Sequence, residues 1–216
     1  MEQGQSKTLT RSFPTQQLLG LATAFVVLSG FAADEEPAEE TKAATGVMLA
    51  PRFMGYQVSR EIEGAKSTVM VPAQLDQLVL ETLTEARWKE EKLDWDSWMV
   101  ETLKTADQLI EEIDVEWFKD DNEVFLYASI DSKSPLLSSV VFSEKFLPIF
   151  EERFGSAVLV VIPDRSSIFV FPKFASKLEN YSITLAKRYR ESLSKVSDEI
   201  FEIDAEGCRV VGSLKD

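Results

Sequence analysis

The chain contains no histidine. Histidine is the general base of the Ser-His-Asp and Cys-His catalytic arrangements, and its imidazole is the most common protein ligand of transition metals such as zinc and iron. The absence of this residue therefore excludes all imidazole-based mechanisms for this chain, and with them many hydrolases and metalloenzymes.

The chain also has a single cysteine, Cys208. No intramolecular disulfide can form, so the stability of the fold must come from its core. The neighbouring residues Arg209, Val210 and Val211 are typical of a strand, and we interpret Cys208 as a small buried hydrophobic residue. An intermolecular disulfide and a reactive thiolate remain as alternatives.

Positive charge is scarce. The chain has 23 lysines and arginines and 37 aspartates and glutamates, which gives a net charge of -14. Nucleic-acid binding depends on basic side chains that neutralise phosphates. We therefore expect no nucleic acid among the partners. An anionic membrane surface would repel the chain for the same reason.

A long membrane-spanning run is missing, although residues 18–33 are largely apolar. A bilayer requires about 20 apolar residues, and this run is shorter and carries polar interruptions. Its basic start and the small residues Gly30 and Ala32 before an acidic stretch predict a secretory signal peptide over residues 1–32, with a mature chain from Ala33. The product is then exported, periplasmic or extracellular, and does not insert into a membrane after cleavage. An uncleaved anchor is the alternative.

The remaining sequence is rich enough to fold, since 44% of all residues are hydrophobic and 10% are aromatic. Residues 33–46 are acidic and lack large apolar side chains, which predicts a flexible tether. Residues 47–216 are expected to form a single α/β globular domain. Short extended runs are expected at 47–53 and 68–71.

Helical periodicity is strongest in residues 72–113, where apolar residues recur every three or four positions. Pro72 suits a first helical turn, and Asp94 or Asp96 is placed to cap the second helix. The sequence therefore predicts an amphipathic helix pair. Its inward residues are Leu75, Leu78, Val79, Leu83 and Ala86, followed by Met99, Leu103, Ala106, Ile110 and Ile113.

The second half of the chain predicts a strand at 123–130 and then a helix with phenylalanines every four residues, which ends at Gly155. Two apolar runs around the sequence Asp164-Arg165-Ser166-Ser167 are typical of interior strands joined by a tight turn. A long helix over 174–195 and two short strands at 199–204 and 208–213 follow. The expected fold class is α+β or α/β, with a central mixed sheet, the amphipathic helix pair and a long C-terminal helix.

The predicted helix pair carries many carboxylates and most of the tryptophans. Metal binding would require converging oxygen ligands, and the EF-hand pattern that begins at Asp120 fails at Val124, so we expect neither a metal nor another cofactor. We interpret Trp88, Trp95, Trp98 and Trp117 as core residues. If they were exposed together, they would form a surface suited to a protein partner.

Residues 121–195, about a third of the chain, resemble the C-terminal part of the YtpQ-type proteins, an uncharacterised bacterial family. The matching features are a serine-rich loop, a short helix, and a strand that ends in Pro-x-Arg before another apolar strand. The matching residues are Ser138, Ser139, Gly155, Pro163 and Arg165. The resemblance implies an α+β or α/β domain and no particular activity.

The best polar candidates lie at the turn between the two apolar strands. Asp164 and Arg165 first predict a bend, because aspartate and serine side chains bond to nearby backbone in turns. With Ser138 and Ser139 they also form a candidate ligand-binding set, suited to a carboxylate or phosphate. No catalytic residue is assigned.

The function expected from the sequence is an exported, non-enzymatic binding or assembly module of the cell envelope space, with a protein partner or self-association. The alternative is a histidine-free hydrolase or small-ligand enzyme that uses Asp164, Arg165 and nearby serines. A pocket that joins Asp164 and Arg165 to Ser132 or Ser138 would favour the enzyme. An exposed apolar patch containing the tryptophans would favour the binding module.

Overall fold

The computed structural model describes residues 43–77, 79–174 and 176–214. The predicted signal peptide and residues 33–42 of the predicted tether lie outside these ranges. The first strand begins at Ala44, so the last three residues assigned to the tether belong to a sheet.

The smaller of two sheets has four antiparallel strands: β1 (Ala44–Pro51), β2 (Arg60–Glu61), β3 (Thr68–Asp76) and β4 (Val79–Thr82). Strand β1 pairs with one edge of β3, and β2 and β4 pair with different parts of its other edge. Residues 46–51 of β1 are buried on both side-chain parities, as expected for a strand that is covered on both faces.

The larger sheet has six antiparallel strands in the order β10-β9-β7-β8-β6-β5. Its strands are β5 (Val115–Lys119), β6 (Phe125–Asp131), β7 (Val158–Asp164), β8 (Ser167–Pro172), β9 (Glu199–Asp204) and β10 (Gly207–Ser213). The prediction that β7 and β8 are interior strands joined by a tight turn is confirmed, because they lie in the middle of this sheet.

Within the described ranges, four α-helices accompany the sheets: α1 (Glu85–Glu90), α2 (Trp95–Glu112), α3 (Pro148–Phe154) and α4 (Leu178–Glu191). The predicted cap of α2 is confirmed, since the Asp94 carboxylate accepts hydrogen bonds from the backbone N–H groups of Asp96 and Ser97 at 3.1 and 2.9 Å. Among the described residues, no helix combines the length and apolar character needed to cross a membrane.

The core is built on both faces of the larger sheet. One face packs against α3 and the preceding 3₁₀ helix (Leu137–Phe142), and α4 covers the other face with Leu178 and Leu185. Helix α2 packs on β1 and on the 3₁₀ helix. The phenylalanines of the predicted third helix are placed as expected, with Phe146, Phe150 and Phe154 buried. That helix is shorter than predicted, since α3 begins at Pro148.

The predicted fold class is wrong. The protein is mostly β, with two fully antiparallel sheets in place of a central mixed sheet. The predicted helix after Pro72 is the β3–β4 hairpin, in which Leu75 pairs with Leu80. Pairing of β3 with the buried strand β1 overrides the local helical spacing, because burial and cross-strand contacts outweigh intrinsic propensity.

The predicted long C-terminal helix is also wrong. Helix α4 has 14 residues, and Phe174, the first residue of the predicted helix, lies outside it and is 70% exposed. The helix starts late because the Ser176 hydroxyl accepts a hydrogen bond from the Leu178 N–H. It ends where the Lys195 ammonium donates to the carbonyl oxygens of Arg190 and Ser192. The chain then continues into the predicted β9–β10 hairpin.

Candidate functional site

The turn between β7 and β8 is organised by the Asp164 carboxylate, which is 6% exposed. One oxygen, Oδ1, accepts hydrogen bonds from the Ser166 N–H, the Ser166 hydroxyl and the Ser167 hydroxyl at 2.8–3.0 Å. The other, Oδ2, accepts from Arg188 Nε on α4 at 2.7 Å. Both oxygens are therefore used in holding the turn and in tying it to α4.

These contacts set the ionisation of Asp164. Burial opposes the charged form, but the hydrogen bonds from Arg188, Ser166 and Ser167 outweigh it, so the pKa of Asp164 lies below its usual value. A carboxylate with a lowered pKa and occupied oxygens is a poor general base at neutral pH. The arrangement fits the predicted bend and gives no support to hydrolysis.

Arg165 does not pair with Asp164. Its backbone N–H donates to the Ser194 carbonyl at 3.1 Å, and its Nε is buried without a hydrogen-bond partner within the described ranges. The partner of Asp164 is Arg188, which was not among the candidate residues predicted from the sequence. A signal was present, because Tyr181, Leu185 and Arg188 are four and three residues apart and share the inward face of that helix.

Ser138 and Ser139 lie in the 3₁₀ helix, and both are buried. The Ser138 hydroxyl accepts a hydrogen bond from the Leu49 N–H at 2.9 Å, whereas the Ser139 hydroxyl has no partner within the part of the chain that the structure describes. The Ser138 bond is to β1 of the smaller sheet. Among the described residues neither serine shares a hydrogen bond with Asp164 or Arg165, and the ligand-binding set of four residues stays a prediction.

Ser132 lies closer to the turn, since its N–H donates to the Ser166 carbonyl at 2.9 Å. Its hydroxyl, however, accepts a hydrogen bond from the Ser134 N–H at 3.1 Å. The hydroxyl groups of Ser132 and Ser138 thus accept bonds from backbone N–H groups. Among the described residues, neither hydroxyl is hydrogen-bonded to a general base, as nucleophilic catalysis requires.

The tryptophans pack against the core, as predicted, but their burial differs: Trp98 is buried, and the other three are half-buried. Trp98 is 5% exposed, and its indole N–H donates to the Gly46 carbonyl at 2.9 Å. Trp88 packs against Trp95 and Trp98, with ring centroids 5.4 and 5.6 Å apart. Trp117 packs on phenylalanines of α3. They do not form the exposed patch that would have favoured a partner surface.

A groove that sequence reasoning missed lies between α2, the start of α3 and the β9–β10 hairpin, with a volume of about 620 Å³. Its lining residues come from three segments that are far apart in the sequence, so no local sequence pattern predicts the groove. Its apolar lining residues are Met99, Leu103, Val141, Phe142, Leu147, Ile203 and Cys208. We call it the acidic groove, because every charged residue that lines it is acidic.

The charged lining residues are Glu144, Glu151, Asp204 and Glu206. Asp204 bonds to Arg209 at 2.7 Å, which lowers its pKa. Glu144 and Glu151 are exposed and form no ion pair with any described residue. The acidic groove therefore keeps uncompensated negative charge beside an apolar floor.

Cys208 forms part of this floor. Burial raises the pKa of its thiol to about 12, so the group stays neutral and acts as an apolar surface. Across residues 43–77, 79–174 and 176–214, no three acidic or cysteine side chains converge in a way that could hold a metal ion. The chemistry of the groove is therefore that of apolar contact and carboxylate charge.

No protein-family model, no curated protein and no solved structure matches this chain. The resemblance to the YtpQ-type family stays a prediction.

Proposed function

We propose that the protein is an exported, non-enzymatic binding module whose acidic groove holds a segment of a partner protein with an apolar side chain between lysines or arginines. The observation that carries this proposal is the combination of an apolar floor with charged lining residues of one sign. Neither the β7–β8 turn nor the packed tryptophans offers a comparable surface.

The two parts of the acidic groove contribute differently to such binding. Burial of an apolar side chain against Phe142 and Leu147 supplies affinity, at about 25 cal/mol per Å² of apolar surface. Glu144 and Glu151 attract basic flanks and orient the segment. Because these carboxylates are exposed, the electrostatic contribution is screened by salt. An acidic or neutral segment of the same length gains only the binding free energy of the apolar contacts.

Binding is tested with the mature chain and a dye-labelled peptide that carries leucine and phenylalanine between lysines, with fluorescence anisotropy as the readout. The Glu144→Gln, Glu151→Gln double variant should bind about tenfold more weakly, which corresponds to about 1.4 kcal/mol. The difference between variant and parent should shrink as the salt concentration rises.

A matched control removes two exposed glutamates away from the groove, Glu90 and Glu112, by the same substitution to glutamine. This variant has the same net charge as the groove variant, so it should bind like the parent protein if the effect is local. If both variants bound the peptide equally weakly, the effect would come from the net charge of the protein and not from the groove. The proposal would also be contradicted if a peptide with glutamates in place of the lysines bound equally well.

The location is a separate part of the proposal, and it rests on the sequence of residues 1–32. Intact mass spectrometry of the protein from its native host, with membrane and soluble fractions measured separately, tests it. A soluble species that begins at Ala33 supports export. A full-length species in the membrane fraction would contradict cleavage and favour an anchor.

A further inference from the structure

A second cavity, of about 200 Å³, lies where the loop before β3 meets β10. It is lined by Gly64, Lys66, Glu199 and residues 210–213. Most of these residues are exposed, but Glu199 is only 3% exposed. The cavity is thus open to solvent and has a buried carboxylate in its wall. It is separate from the acidic groove, which is lined by the other end of the β9–β10 hairpin.

Only one oxygen of the Glu199 carboxylate is satisfied. Oε1 accepts hydrogen bonds from the backbone N–H groups of Lys66 and Ser67 at 2.6 and 3.1 Å. Oε2 is buried and has no hydrogen-bond partner among the described residues. An unpaired carboxylate oxygen that is shielded from bulk water is costly, so this oxygen calls for a hydrogen-bond donor.

The described part of the chain does not supply that donor. No lysine or arginine within it forms an ion pair with Glu199. The Arg52 Nε donates to the Lys66 carbonyl, and its guanidinium pairs with Glu61. Arg52 is therefore already paired, and Lys66, which lines the cavity, forms no ion pair with a described residue.

A second acceptor faces the same loop. The Val210 N–H donates to the Glu63 carbonyl at 2.8 Å, and the Val210 carbonyl oxygen lies so close to Gly64 that a Cβ atom there would be 2.4 Å from it. Gly64 also has a φ of +77°, which favours glycine. The loop and β10 are thus held in close contact, with a backbone oxygen at the border of the cavity.

We propose that this cavity binds the primary ammonium group of an alkylamine, which donates one hydrogen bond to Glu199 Oε2. An ammonium group has three donors and no acceptor, so it matches a wall that offers a carboxylate oxygen and a carbonyl oxygen. A water molecule occupies about 30 Å³ of liquid volume, so the cavity has room for an ammonium group and a short alkyl chain.

The test is an NMR titration of the ¹⁵N-labelled mature chain with n-butylammonium chloride, in which the amide signals of Lys66 and Ser67 report on Glu199. Saturable shifts at both amides are expected, with a dissociation constant on the order of 1 mM. Glu199→Gln should weaken binding at least tenfold, because the amide oxygen still accepts the two backbone bonds but the charge is lost. Glu63→Gln, an exposed glutamate of the same loop, should leave binding unchanged.

Butanol and tetramethylammonium chloride separate the alternatives. Equal shifts with butanol would mean that the cavity takes any small polar molecule, and equal shifts with tetramethylammonium would mean that only charge matters. Either result overturns the proposal, as does the absence of saturable shifts. Shifts that appear only after a Lys66→Met substitution would show that the chain fills the cavity itself, which also overturns it.

The same titration with an end-blocked peptide that contains one lysine identifies the source of the ammonium group. Tighter binding of the peptide points to a lysine side chain of a protein, whereas tighter binding of butylammonium points to a free amine. Both outcomes support the site. Loss of this binding leaves the acidic groove untouched, so the two proposals fail independently.

Discussion

At the scale of single residues, Asp164 is the best example of a polar group that supports the fold. Its turn was predictable, because aspartate and serine in the sequence between two apolar runs indicate a bend. Its partner was not, since Arg188 is 24 positions away and only the packing of α4 on the sheet brings it to the carboxylate. The bonds from Asp164 to Ser166 and Ser167 can therefore be predicted from the sequence, whereas the bond to Arg188 depends on tertiary packing.

Asp164 is expected to make stability depend on pH. Its pKa in the folded protein is lower than in the unfolded chain, so it stabilises the fold above the unfolded pKa of about 3.9 and loses this contribution as the pH falls through the folded pKa. Asp164→Asn should lower the free energy of unfolding by about 2 kcal/mol at pH 7. In urea denaturation the variant and the parent should converge as the pH falls below the folded pKa of Asp164.

Asp131→Asn is the matched control for this experiment. Asp131 lies 3.9 Å from the same Arg188, but its side chain is 67% exposed, so the loss of its charge should change stability little. A constant difference between Asp164→Asn and the parent across the whole pH range would show that the ionised carboxylate is not the stabilising form.

Cys208 is expected to be a slow nucleophile in the native protein. Burial raises its pKa to about 12, and the smaller thiolate fraction, partly offset by higher intrinsic nucleophilicity, should slow alkylation about a hundredfold relative to an unperturbed thiol. The measurement is the rate of iodoacetamide labelling at pH 8 in buffer and in guanidinium chloride. Equally fast labelling in both solutions would show that the thiol is accessible and ionised in the native fold.

At the scale of elements, the sequence was most informative where local and tertiary preferences agree. Asp94 was expected to cap α2, and strands β7 and β8 were expected in the interior of a sheet, because capping chemistry and continuous apolar runs hold in both contexts. The β3–β4 hairpin is the opposite case. Its apolar residues satisfy helical spacing, but β3 is paired along its length with β1, and no local signal reveals that partner.

Trp98 of α2 forms an indole hydrogen bond to β1 that can be removed while an aromatic ring is kept at this position. Trp98→Phe leaves the Gly46 carbonyl without its 2.9 Å partner in a buried position. The expected loss in the free energy of unfolding is about 2 kcal/mol. Thermal and urea denaturation followed by far-UV circular dichroism measure it.

The control is Thr105→Val, which removes the hydroxyl donor to the Thr45 carbonyl at a less buried position of the same helix. Water can replace this donor more easily, so the loss should be smaller. If both variants cost the same, the burial of the Trp98 bond does not determine its contribution.

At the scale of the whole molecule, the two sheets share one core. Leu49 of β1 and Ile62 belong to the same buried cluster as Val160 and Val170 of the larger sheet. A seam of polar contacts adds to it, since the Thr68 and Ser197 hydroxyls bond at 2.6 Å and Ser67 bonds to Asp198 at 2.8 Å. These contacts join residues more than a hundred positions apart, which is why the sequence predicted the strands better than their assembly into two sheets.

A shared core implies that both sheets unfold together. Leu49→Ala removes a fully buried side chain from this core and should lower the free energy of unfolding by about 3 kcal/mol. Native-state hydrogen exchange gives the readout, and the amides of β3 and of β7 should lose the same amount of protection. Val79→Ala, at a 60% exposed position of the smaller sheet, should change protection by less than about 0.5 kcal/mol. Loss of protection confined to β1 and β3 would instead mean that the smaller sheet opens on its own, and that the polar seam, not the apolar core, limits its stability.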